Sequence, residues 1–250
     1  MKKHIICFGD SNTHGYCAMN DGRFDENERW TCLLQKSLGE DYLILEEGLS
    51  GRTTCFRDPV FEGLSGLDYL YPCLMSHEPV DLLVIMLGTN DTKERFSAGA
   101  PVIGLGMIRL VKKAMATTDC WRDGKPQILI VTPQNIGKEY EHSNVAGTMG
   151  KGCAEKSQGL AAEYERIAGQ FGCYYLDANE VVKAKPNDID HMHLTAQGHK
   201  ELAEALDKKI REILMQKPEL GVRIEASYDK QKLSTSEDIS QNSIAAGNLE

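Results

Sequence analysis

The chain has 250 residues, a net charge of −9 at pH 7 and 41% hydrophobic residues. That balance suits a soluble globular protein with a sizeable core. It argues against a broad nucleic-acid surface, because no dense Lys/Arg cluster offsets the acidity. Met1-Lys2-Lys3 opens like a signal peptide, but the apolar stretch behind it is far too short for a signal core. No segment has the length needed to span a bilayer. The eight cysteines form no C-x-x-C pair and no zinc-finger spacing. A cytoplasmic protein with reduced, packed thiols and no membrane association is therefore expected.

In chain order, His4 to Phe8 reads as a strand that stops at Gly9 and delivers Ser11 to the first turn. Trp30, Leu33, Leu34 and Leu38 repeat at helical spacing, with Asp25 and Glu28 as a capping pair. Tyr42 to Glu46 is the next strand. Leu82 to Leu87 is apolar throughout, as a central strand covered on both faces should be. Val102 to Met115 reads as a helix and Ile128 to Thr132 as a strand. Pro133 to Gly152 is polar, holds four glycines and lacks periodicity, so it is expected to be a functional loop, either a lid or an oligomer contact. Glu155 to Ala168 (helix) and Cys173 to Leu176 (strand) follow. Ala196 to Leu214 is the last helix, with Thr195 as its N-cap. Strands alternating with helices imply an α/β fold, a three-layer α/β/α sandwich on a flavodoxin-like five-stranded parallel sheet. One domain over 1–215 is expected. A polar extension over 216–250 could not bury a core of its own.

A serine at the carboxyl end of a parallel strand lies where open α/β folds bind ligands. Its hydroxyl becomes a nucleophile only beside a base held by a third group. Asp190 and His193, three residues apart, offer that pair. Asp188 and His191 share the same offset, so two dyads overlap.

Four blocks recur at the ends of the predicted strands. They are Gly9-Asp10-Ser11-Asn12, Gly48 in Glu47-Gly48-Leu49-Ser50-Gly51-Arg52, Gly88-Thr89-Asn90-Asp91, and Asp190-His191-Met192-His193. Together they resemble the SGNH (GDSL-type) hydrolases, nearest the branch of arylesterases, acyltransferases and carbohydrate acetyl esterases. The resemblance runs from about residue 4 to 215. It favours the dyad Asp190/His193, because His193-Leu194-Thr195 leads directly into the last helix as the family's block does.

The resemblance implies Ser11 as nucleophile, His193 as general base and acid, and Asp190 as the group that fixes the imidazole. It implies an oxyanion hole made by the Ser11 and Gly48 N–H groups and the Asn90 amide. Asn12, His14 and Thr89 are expected to contact substrate. Asn12 stands where the motif has leucine, and His14 where relatives often carry tryptophan. Both should make the pocket wall polar and favour hydrolysis over acyl transfer. The implied reaction is hydrolysis of short-chain, above all acetyl, esters of a carbohydrate or another small alcohol. Neither cofactor nor metal is required, the partner is a small-molecule ester, and a homo-oligomer is expected.

Plainer readings stand beside these. Gly-Asp-Ser after a strand is often an ordinary turn, Gly48 a turn glycine, and Asn90-Asp91 a helix cap. Arg52 reads as a structural anchor or a substrate contact. Asp188, Asp190, His191 and His193, with Asp10 and Asp91, would also suit a metal-dependent phosphoesterase. A non-catalytic ligand-binding module explains the fold but not the Ser/Asp/His set.

Overall fold

The structure, a computed structural model, describes residues 1–215. The polar extension expected over 216–250 lies outside the described residues. Five strands form one parallel sheet: β1 (Lys3–Gly9), β4 (Tyr42–Gly48), β5 (Leu82–Met86), β6 (Ile128–Thr132) and β7 (Tyr174–Asp177), in the order β4-β1-β5-β6-β7. Two further strands, β2 (Tyr16–Cys17) and β3 (Gly22–Arg23), make a small antiparallel hairpin.

The pleat of β1 sorts its side chains to two cores. Ile6 and Phe8 pack with α3 (Gly66–Ser76), α4 (Ala100–Ala116) and α7 (Leu160–Phe171), through Leu70, Leu74, Met107, Leu110 and Tyr164. Ile5 and Cys7 face the opposite layer, where α2 (Trp30–Leu38) and α9 (Ala196–Met215) supply Trp30, Leu34, Leu202, Leu206 and Ile210. The three-layer α/β/α sandwich expected from the alternation is present. Its strands turn outward from β1 in both directions, so the loops after β1 and β5 flank the point where ligands bind in such sheets.

Local chemistry explains the departures from the sequence reading. Asp25 and Glu28 do not cap α2; Asp25 Oδ1 accepts from Asn27 N–H at 2.7 Å inside its own turn. The first N–H of α2, that of Trp30, is instead received by His199 Nδ1 of α9 at 3.3 Å. The helix expected over 155–168 is two helices, α6 (Cys153–Gln158) and α7, parted at Gly159. Helix α3 was masked in the sequence by Pro72, which removes a helical donor. Ser65 caps it by accepting from Asp68 N–H at 3.4 Å. Thr195 does cap α9, accepting from Gly198 N–H at 3.1 Å. Residues 133–152 are not a structureless loop. They hold a 3-10 turn (Lys138–His142) and the short helix α5 (Ala146–Met149) around a small core of Ile136, Tyr140, Met149, Cys153, Ala154 and Met192. The remaining short helices are α1 (Ser11–His14) and α8 (Ala178–Val181). All eight cysteines are free thiols.

His199 is fully buried between α2 and α9, and burial first, then the charges of His193 and Arg29, lower its pKa from 6.5 to about 3. The unfolded chain therefore takes up a proton that the folded one refuses. The stability this represents is complete above pH 6.5 and is lost as pH falls toward about 3. Denaturant melts from about pH 7 to about pH 4 should show wild type losing stability more steeply than His199→Gln. Parallel curves would exclude His199 as the source.

Candidate active site

Ser11 is the first residue of α1, directly beyond β1. Asp10 caps that short helix by accepting from Asn12 N–H at 3.0 Å. The hydroxyl of Ser11 lies 2.7 Å from His193 Nε2, and His193 Nδ1 lies 2.8 Å from Asp190 Oδ2. With Nδ1–H turned to the carboxylate, Nε2 is left to accept the serine proton. Ser11 is 7% exposed, His193 8% and Asp190 1%.

Asp190 is held from several sides. Its Oδ1 accepts from Met192 N–H at 3.0 Å, His193 N–H at 3.1 Å and Asn187 Nδ2 at 2.8 Å. Burial alone would raise its pKa. The hydrogen bond and charge of His193, with the two backbone donors, overcome that and bring it to about 2. Asn187 also donates to His193 O at 3.0 Å and accepts from the Ile189 and Asp190 N–H groups. Sequence reasoning missed it, because an Asn in a polar loop carries no signature.

A cavity of about 480 Å³ opens over the Ser11–His193 pair. Ser11, Thr89, Asn90 and His193 all line it, as expected, with Asp190 behind the imidazole. Asn90 Nδ2 gives one hydrogen to Arg52 O at 3.2 Å. The rest of the wall was not foreseen. Tyr16, on the hairpin, tilts over the His193 ring at 4.6 Å, and Leu64, Val145, Met149 and Met192 add apolar surface. Residues 144, 145, 148 and 149 come from the segment read as a lid or oligomer contact, and they form part of the cavity wall.

Three expected site residues stand outside this cavity. Asn12 turns to the loop instead: its Oδ1 accepts from Leu194 N–H at 2.9 Å and its Nδ2 donates to Met192 O at 3.4 Å, one bond on each side of His193. His14 sits near Arg23, Arg29 and Glu46, where burial first and the two cations next lower its pKa. Neither Asn12 nor His14 lines the cavity, so the polar part of its wall comes instead from residues such as Ser50, Asn144 and Thr148. Gly48 is a packing glycine; a Cβ there would meet His14 N at 2.1 Å and Thr13 C at 2.5 Å. Gly51, three residues on, lines the cavity in its place at φ +87°, a left-handed conformation that favours glycine. Among the described residues, neither the Ser11 nor the Gly51 N–H donates to a protein acceptor.

Arg52 is an anchor. Its guanidinium donates to Gly9 O at 3.0 Å and to Glu47 O, and stacks over Phe8 at 4.3 Å. Asp10 and Asp91 are fully buried. Burial raises Asp10 to about 6, and burial with the nearby Asp10 charge raises Asp91 to about 7. The metal centre weighed over 188–193 does not assemble. Asp190 is committed to His193, and His191, at φ +59°, gives its carbonyl to Gly137 N–H at 2.8 Å. Among the described residues, the one set of three ligand types within reach of a shared ion is Glu47, Cys73 and His77, outside this cavity.

A family model described as GDSL-like lipase/acylhydrolase matches residues 7–201. Among solved structures, an aryl esterase of M. smegmatis is 35% identical over 84% of this chain and 99% of its own, with a TM-score of 0.77. A carbohydrate acetylesterase of Sinorhizobium meliloti is 33% identical over 85% of this chain and 100% of its own, with a TM-score of 0.75. A lipase/acylhydrolase of Enterococcus faecalis shares the fold at 14% identity, with a TM-score of 0.61. No curated protein matches the chain significantly.

Asn12→Ala strands the buried Leu194 N–H and should cost about 1–3 kcal/mol of stability. Gly48→Ala should cost about 1–3 kcal/mol by overpacking. Denaturant melts read both, and a neutral Gly48→Ala would show that α1 and β4 can part without penalty.

Proposed function

The chain belongs to the GDSL-like lipase/acylhydrolase family and is a serine ester hydrolase; from that premise we propose that Ser11, His193 and Asp190 cleave short-chain acyl esters through an acyl-enzyme. The observation that carries the reading is the relay of 2.7 Å and 2.8 Å from Ser11 through His193 to Asp190, opening on a cavity.

Ser11 Oγ adds to the ester carbonyl carbon while His193 Nε2 takes its proton. Asp190 keeps the ring oriented and stabilises the imidazolium. The oxyanion receives the Ser11 N–H, the Gly51 N–H and the second hydrogen of Asn90 Nδ2. Gly51 takes the place first assigned to Gly48, on the strength of its position in the cavity wall and its unused donor. Collapse expels the alcohol, which leaves with the proton from His193. Water then adds to the acyl carbonyl, again losing its proton to His193, and the second collapse frees the acid and Ser11. An alcohol in place of water gives acyl transfer by the same path. No cofactor enters these steps.

Acetyl esters of a carbohydrate or another small alcohol are the proposed substrates, supported by the cavity's modest size and by the likeness to the acetylesterase and the aryl esterase. Eight free thiols support a reducing, cytoplasmic setting. Exposed Val60, Phe61, Val102 and Leu105 support a homo-oligomer, which sedimentation would detect.

With p-nitrophenyl acetate, Ser11→Ala and His193→Ala should each lose at least about 10³-fold in turnover, and Asn90→Ala about 10²–10³-fold. EDTA should have no effect. Activity that survives Ser11→Ala and disappears with EDTA would overturn the serine mechanism. Asp190, held to about 2, stays ionised near neutral pH, so its titration puts no acid limb on turnover there.

A further inference from the structure

The cavity over Ser11 contains a charge that ester cleavage does not use. Lys93 follows the 3-10 turn Asn90–Thr92, and its backbone N–H donates to Asn90 O at 3.3 Å. Its side chain is only 5% exposed, yet it lines the cavity that Ser11 and His193 share. Among the described residues its Nζ makes no hydrogen bond. The nearest carboxylate oxygen is Asp58 Oδ2, at 3.9 Å. Asp58 Oδ1 serves Arg95 Nη1 at 3.2 Å and Val60 N–H at 2.9 Å, while its buried Oδ2 has no hydrogen-bond partner. Lys93 and Arg95 thus share the one carboxylate that lies within ion-pair distance of either. The cavity's other charged lining residue, Glu62, is exposed.

An ammonium has three donors and no acceptor capacity. Lining the cavity, those donors can meet water in the free protein, and an acceptor of opposite charge would be a stronger partner than water. Burial lowers the Lys93 pKa, Asp58 and more weakly Asp10 and Asp91 oppose that, and the Arg95 charge acts with it. A ligand carboxylate would supply the missing charge and acceptors at one stroke.

We propose that Lys93 is a specificity-determining residue whose ammonium receives a carboxylate carried by the substrate, so that the protein prefers short esters bearing an anionic group. This rests on the esterase reading of the same cavity. The test is calorimetric titration of the Ser11→Ala variant, which binds without turnover, with two esters of similar shape. One is monomethyl succinate, and the other is methyl butanoate, with a methyl group in place of the carboxylate. The succinate ester should bind at least about tenfold more tightly, the scale of one charged hydrogen bond. Adding Lys93→Met should remove that preference, and adding Lys93→Arg should retain it. Equal affinities, binding of neither ester, or a preference that survives Lys93→Met overturns the proposal. Wild-type turnover of the two esters is scored separately. Preferential binding without turnover would sink the esterase chemistry and leave the anion site standing.

Discussion

The hydrogen bond from Ser11 to His193 joins residues 182 positions apart, and the fold is arranged so that this one contact can form. The parallel sheet brings Ser11 to the carboxyl end of β1. The other partner arrives on a loop whose position depends on how α9 docks. That docking is fixed by the apolar stripe of Leu202, Leu206 and Ile210, and by His199 receiving the first N–H of α2. Asn12 then bonds the backbone on both sides of His193, so the segment carrying the imidazole is tied to the segment carrying the serine. Core packing sets the approach to within a few ångströms, and hydrogen bonds set the rest.

The charges behind the site follow from the same geometry. Asp190 is surrounded by donors and stays ionised, which suits a group facing an imidazolium. Asp10 and Asp91 are buried with fewer compensating donors and are pushed toward neutrality, to about 6 and about 7. Three carboxylates in one neighbourhood thus differ in acidity because of their surroundings, and the most acidic one touches the histidine.

The alternation of strands and helices was legible in the sequence, because hydrophobic period is a local signal, whereas the choice of Asp190/His193 over the equally spaced Asp188/His191 came from the resemblance to the SGNH hydrolases. What failed was also local in appearance and tertiary in fact. Gly48 and Gly51 sit in one short block and look equivalent as letters. Only the meeting of β4 with α1 makes the first a packing glycine, and only the cavity wall gives the second a role. Asn12 takes the leucine position of the family motif, for which the resemblance implies a place in the pocket wall, but its side chain turns to the Leu194 loop. Tyr16 lies on a strand of two residues, too short for any alternation to register. Pro72 hid α3, and the glycines of 133–152 hid a segment with its own small core.

That small core carries a further consequence. Met192 belongs to it, together with Ile136, Tyr140 and Met149, and Met192 immediately precedes His193. Met149 and Met192 also face the cavity. The wall that shapes the substrate and the backbone that carries the base are therefore one packed unit. Changes that reshape this wall to admit a new ester will tend to be epistatic with the histidine loop. An evolutionary route to a new substrate here would run through compensating pairs across the 136–154 segment and Met192, rather than through single independent steps.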